Sequence, residues 1–357
     1  MPPIEAALAR AERALAPLDE LRGVGLRLLA GSSAAGRRLA ASRNARVSLL
    51  LAGHAAAAFG LAVVAPSFLL AVTPLLFGVP HLASGVRHLL IRRAWPAWWL
   101  GASAAFAVAL IALRVGAEVW PASAPSLALE QGLAGAWVVL GAVAALAGAP
   151  SRRGWLVLLA ALGVAALAVG APRPFRMILL HGHNLVALVI WVVLFRRGRR
   201  LILLPAAAML LGALWLASGS ALGWTVRHGW LTVAGLHLFA AADWLAPGLP
   251  DQTAVALTTA FAFLQAVHYA VWLVGIPAGD RPGDGGRSWR SAWRGLVRDF
   301  RPGGLVVVVV LTAGVAAAGL AAAAPARRLF LSIGSFHAWL ELAALAALLG
   351  RGGPASR

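Results

Sequence analysis

Residues 67–91 read SFLLAVTPLLFGVPHLASGVRHLLI and are followed at once by Arg92-Arg93. The run carries one arginine and exceeds the roughly 20 apolar residues that cross the hydrocarbon core of a bilayer. It therefore predicts a transmembrane helix ending in a basic loop. Outward from it the pattern repeats, and the candidate spans are 47–66, 67–91, 95–113, 126–148, 154–171, 177–195, 201–218, 230–246, 252–276, 303–324 and 329–350. A content of 61% hydrophobic and 12% charged residues cannot build a water-soluble core and surface over 357 residues. The expected fold is all-α, a polytopic transmembrane helical bundle over 47–350.

The net charge of +19 would fit nucleic acid in a soluble protein. Here the arginines stand at the ends of apolar runs, as in Arg92-Arg93, Arg152-Arg153 and Arg196-Arg197-Gly198-Arg199-Arg200. That placement marks cytoplasmic loops rather than a nucleic-acid footprint. Residues 1–46 hold eight arginines and helically spaced leucines, which predicts a cytoplasmic amphipathic segment on the membrane surface. The stretch 277–302 carries six more arginines and should share that side. Within it Trp289, Trp293, Leu296, Val297 and Phe300 recur at helical spacing and predict a surface helix.

An even number of crossings must then precede 277–302, so one of the nine earlier candidates does not cross. The short run 230–246, with Asp243 and Pro247 at its end, is the expected exception. About ten spans remain, with both termini, including the tail 351–357, expected on the cytoplasmic side of the inner membrane. Trp95, Trp98 and Trp99 belong to the usual interfacial aromatic belt. No internal repeat is evident that would support a transporter of two matching halves.

Two absences restrict the chemistry. Without cysteine there are no disulfides, thiolate metal sites, iron–sulfur clusters or covalent c-type haem. Every basic residue other than histidine is arginine, so neither retinal nor pyridoxal can be held as a lysine Schiff base.

Of the nine histidines, His54, His81, His88, His181, His183, His237, His268 and His337 lie in apolar runs, and His228 beside one. An ionisable group in hydrocarbon is costly and normally faces a partner inside the bundle. His81, His268 and His337 fall in the middle third of their spans and could meet on one metal. His54 is also near mid-depth. His181 and His183 are two residues apart, about 200° around a helix, so at most one of them points fully into a shared site. His88 lies two turns from His81, too far to share its ion, and with His228 reads as interfacial. His237 is unassigned. Gln265 and Glu341 sit one turn from His268 and His337 on the same faces, and Glu341 is the expected carboxylate partner or direct ligand. Pro74 and Pro80 predict a kinked or locally opened helix at His81.

Imidazole with carboxylate and no thiolate suits iron, copper or zinc. Non-haem iron with open positions would permit oxygen chemistry on an apolar, membrane-soluble substrate. Paired histidines would equally serve haem b in electron transfer, and a transporter or proton relay would use the same groups without metal.

Gly78-Val79-Pro80-His81-Leu82-Ala83 resembles the Gly-Leu-Pro-His-Gly-Ala-Leu-Asp signature of the Brp/Blh membrane β-carotene dioxygenases. His337 followed by Glu341 looks like that family's late histidine and acid. The resemblance implies a multi-span protein with histidines around a non-haem iron, cleaving a carotenoid, with His81 in the site. Gly85 stands where the family has its aspartate.

Overall fold

The computed structural model describes residues 3–120, 127–148, 150–195, 201, 203–280 and 288–351. The Arg196–Arg200 cluster, Arg281, Arg287 and the tail beyond Arg351 lie outside the described residues.

The chain is an all-α polytopic bundle. Three short helices, α1 (Pro3–Ala14), α2 (Ala16–Ser32) and α3 (Ala34–Ala41), precede the long ones. Ser33 and Ser42 cap the starts of α3 and of α4 (Arg43–Val64), each side chain accepting from a backbone N–H in the first turn. There follow α5 (Pro66–Val86), α6 (Ala97–Val119), α7 (Leu127–Gly148), α8 (Arg152–Gly170) and α9 (Pro172–Ile190). Helices α5 and α9 run on as π-helical turns, Arg87–Ile91 and Trp191–Phe195.

The predicted span 201–218 is occupied by α10 (Leu203–Ala217), and α11 (Leu222–His228), outside the predicted bounds, follows it at a bend of 76°. As expected, 230–246 is no span. It folds as a two-residue hairpin, β1 (Thr232–Val233) and β2 (Leu236–His237), leading into α12 (Leu238–Leu245). Ala234 and Gly235 both take positive φ in its tight turn. Next come α13 (Asp251–Ala270) with its π-helical turn Val271–Gly275 and short α14 (Ile276–Gly279). The last elements are α15 (Trp289–Ala321), α16 (Ala323–Gly334) and α17 (Phe336–Gly350). Among the described residues, nine helical stretches are long and apolar enough to cross a membrane, and the bent pair α10–α11 makes a tenth if it is one crossing.

Proline chemistry explains two departures from regular helix. Arg301 takes φ 57° inside α15 because Pro302 excludes the helical region for the residue before it. The surface helix predicted for this segment thus ends at Phe300 and the span begins beyond it. In α5, Pro74 cannot donate to the carbonyl of Leu70, and the freed oxygen accepts a 2.7 Å bond from Nε of buried Arg327 instead. The opening predicted at Pro80 does not break α5, which stays helical through both prolines. The interruption in this region falls on the facing chain, at Ser335 between α16 and α17.

Every residue of α13 from Ala254 to Ala270 is buried except the partly exposed Leu257, as befits a helix apolar all round. Helices α4, α5, α9, α10 and α12 pack directly against it. Small residues permit close approach elsewhere: a side chain at Gly141 would strike the carbonyl of Ala343.

At one end of the bundle, Asp19 of α2 accepts from the backbone N–H of Trp289 and from Arg290. Arg351 reaches the carbonyls of Ala94 and Ala144 at the same end. At the opposite end, Trp230 N–H donates to Val64 and Ser332 donates to Glu118. The N-terminal helices and residues 288–299 therefore share one end, which requires an even number of passages between them. The pair α10–α11 supplies the passage that makes the count even.

Candidate metal centre

Four of the predicted residues meet at the middle of the bundle. His81 from α5, His268 from α13 and His337 from α17 each offer a ring nitrogen, and these atoms all lie within 4.8 Å of one another. Ring centroids stand 4.7 Å apart for His81–His337, 5.4 Å for His81–His268 and 6.0 Å for His268–His337. All three are buried. Glu341 is fully buried beside them, with Oε1 2.7 Å from His337 Nε2 and 3.5 Å from His268 Nε2. One helical turn separates it from His337, as the spacing predicted.

The close approach depends on two glycines of α5. A Cβ on Gly85 would stand 2.5 Å from Cε1 of His337, and one on Gly78 would strike the ring of Phe330. Positions 78, 81 and 85 lie on one helical face. That face admits α16 and α17 closely enough for His337 to reach His81.

Polar bonding inside the group is incomplete. Among the described residues, both nitrogens of His268 and His337, Nδ1 of His81 and Oε2 of Glu341 have no hydrogen-bond partner. His337 Nε2 is close to the carboxylate but not aligned for an N–H···O bond. Each buried polar atom left this way costs about 1–3 kcal/mol. One ring nitrogen of each imidazole lies within 4.8 Å of the other two, so the group can offer three lone pairs to a metal ion. Three imidazoles and a carboxylate without a thiolate could hold iron, copper or zinc.

The structure separates the closely spaced histidines. His183 lies against the trio, its ring centroid 5.2 Å from that of His268. Its Nδ1–H donates to the carbonyl of Leu180 at 2.9 Å, which leaves Nε2 with its lone pair. His181, two residues earlier, points elsewhere: Nε2–H donates to Leu245 at 3.0 Å and the ring packs on Phe261. His54 is likewise not brought to the trio, because its Nε2 is bonded to the carbonyl of Ala266 at 3.1 Å. Mid-depth was the same, but the helical face was not. Gln265 faces the group's surroundings, with Thr73 Oγ1 at 3.4 Å from its Oε1.

Two residues that the sequence reading passed over complete the surroundings. Trp272 Nε1–H donates to Glu341 Oε1 at 2.6 Å, holding the carboxylate. Tyr269 lies 4.2 Å from the ring of His81, centroid to centroid. It is the only tyrosine in the chain and adjoins His268, a signal that could have marked it.

No known family, curated protein or solved structure matches this chain.

A cavity of about 390 Å³ adjoins the group, within the size range of ligand pockets. His81, His183 and His337 line one end, Leu179, Leu180, Phe261 and Trp339 form apolar walls, and Arg114, Glu118, Glu130 and Arg176 line the other. Arg114 and Glu130 are paired at 2.8 Å. The remaining histidines have other employment. His88 is buried and meets Asp280 at 2.6 Å. His237 caps α12, and His228 packs on Trp224.

Proposed function

We propose that His81, His268 and His337, with Glu341 and His183 beside them, hold a non-haem iron for oxygen chemistry on an apolar, carotenoid-like or lipid substrate in the membrane. The observation that carries this reading is the convergence of three buried imidazoles from three separate helices, with their nitrogens within 4.8 Å and largely unpaired. Ligand atoms so spaced could be drawn onto one ion by small side-chain adjustments. Iron bound there with open positions would supply oxygen activation.

The chain's own residues do the rest. Trp272 fixes Glu341 so that one carboxylate oxygen stays directed at His337 and His268. Tyr269 packs on His81 and holds its ring orientation. The apolar walls of the adjoining cavity exclude water and accept a hydrocarbon substrate, and its charged far end accepts a polar terminus. The resemblance of the His81 segment and of His337-x-x-x-Glu341 to the β-carotene dioxygenases supports the same chemistry. Crowding among the imidazoles disfavours haem b, since a porphyrin plane between any two rings would meet the third. By the positive-inside pattern we place the arginine-rich end of the bundle, and with it both termini, in the cytoplasm.

The test is metal analysis and an absorption spectrum of the purified protein beside His81→Ala and His337→Ala. Near-stoichiometric iron without a haem spectrum, lost in both variants, is expected. A folded wild type without metal would sink the proposal and favour a proton relay through the same groups, measurable as proton flux in liposomes. Retinal production in a carotenoid-making host then tests the substrate.

A further inference from the structure

A second cavity, of about 750 Å³, lies at the arginine-rich end and is separate from the histidine group. Helix α2 covers it with Arg22, Gly25, Leu26 and Leu29. Its floor is apolar, with Leu273 and Val274 on one side and Leu296, Phe300 and Leu305 on the other. Four arginines line it, namely Arg22, Arg43, Arg46 and Arg87, and no acidic side chain does among the described residues.

Their partners differ. Arg87 is committed to Asp299 at 2.7 Å. Arg46 donates to the carbonyls of Leu39 and Ala40, which leaves its charge uncompensated. Arg43 is only 5% exposed, yet its Nε and Nη1 have no hydrogen-bond partner among the described residues. Arg22 and Arg43 both stand near enough to repel Arg46. A buried, unpaired guanidinium among like charges is unfavourable unless an anion joins it. A phosphate oxygen pair suits a guanidinium fork.

Location decides which anion. Leu21, Val24 and Leu28 form a stripe on α2 that is 67%, 43% and 70% exposed. Such a stripe on a basic helix seats it at the boundary between headgroups and acyl chains. Apolar walls beneath basic side chains at that depth match a phospholipid, and basic pockets between spans on the cytoplasmic side bind anionic headgroups.

We propose that this groove binds an anionic phospholipid, with its phosphate on Arg43 and Arg46 and its acyl chains along Leu273, Leu296 and Phe300. The lipid ties the N-terminal helices to the bundle.

Full-length protein, stripped of lipid in detergent, is titrated with phosphatidylglycerol, with phosphatidylcholine of the same chains, and with inorganic phosphate, following thermal unfolding and native mass spectrometry. Phosphatidylglycerol should bind at least tenfold more tightly than phosphatidylcholine, and inorganic phosphate should not reproduce its stabilisation. Arg43→Gln should lose at least tenfold in that preference. Gly25→Trp supplies an independent arm, because Gly25 lines the cavity and a Cβ there meets nothing within 4 Å, so a bulky side chain at this position competes with a lipid for the same space. Should Arg43→Gln fail to fold, Gly25→Trp decides alone. Equal binding of both lipids, full effect of inorganic phosphate, or unchanged phosphatidylglycerol binding in Gly25→Trp would each overturn the proposal.

Discussion

Gly85 shows how a residue without a side chain can shape a site. Against the signature that its segment resembles, it stands in place of an aspartate. In the fold it is the space that the His337 ring occupies. Gly85→Ala should force that ring aside at a cost of about 1–3 kcal/mol from overpacking. The accompanying expectation is loss of bound metal with the helical content unchanged, read by metal analysis and circular dichroism; retained stoichiometric metal would refute it. Glu341 and His337 were legible because one helical turn is a local rule. His183 was preferred over His181 only when tertiary packing gave each a different neighbour, Leu180 and His268 for one, Leu245 and Phe261 for the other.

The π-helical turn at the end of α5 carries His88, buried against the short α14 region, where Asp280 collects three partners. His88 Nδ1 lies at 2.6 Å, Arg93 Nη2 at 2.6 Å and Arg92 Nη1 at 3.1 Å. Burial alone would raise the pKa of Asp280, but the His88 hydrogen bond and the charges of Arg93 and Arg92 outweigh it and hold the carboxyl below its ordinary value. A carboxylate depressed in the folded state stabilises the fold above its unfolded pKa, near 4. That contribution disappears as pH falls through the folded value. Asp280→Asn should therefore destabilise by about 3 kcal/mol at neutral pH, because it leaves buried cations unpaired. The gap in melting temperature between wild type and variant should narrow as pH drops below about 4; a constant gap would show that the charge is not responsible. The arginines beside His88 mark it as near the end of a span, but nothing local announces a partner 192 positions away.

Ten passages with both ends together is a statement about the bundle that can be checked directly. The chain has no cysteine, so single cysteines can be introduced without background. Cysteines at the exposed positions Glu20 and Gly248 should react with a membrane-impermeant maleimide from opposite sides of sealed vesicles, and labelling of both from one side would refute the bent pair as a crossing. Composition and periodicity determined the all-α membrane class, the rejection of 230–246 as a span and the helix before Pro302. These are determined locally, because a backbone in hydrocarbon must bond within its own helix and the length of an apolar run sets whether it crosses. Depth also selected His81, His268 and His337 correctly as residues that could meet. The arrangement of helices around α13 decided what depth could not. Rotation of each helix about its axis brought His183 in and left His54 and His181 out, joined Trp272 to Glu341, and set Arg43 and Arg46 beneath the helix that carries Arg22. Helix rotation follows from packing against neighbours remote in sequence, where glycine and small side chains set the distance of approach, and no local pattern encodes it.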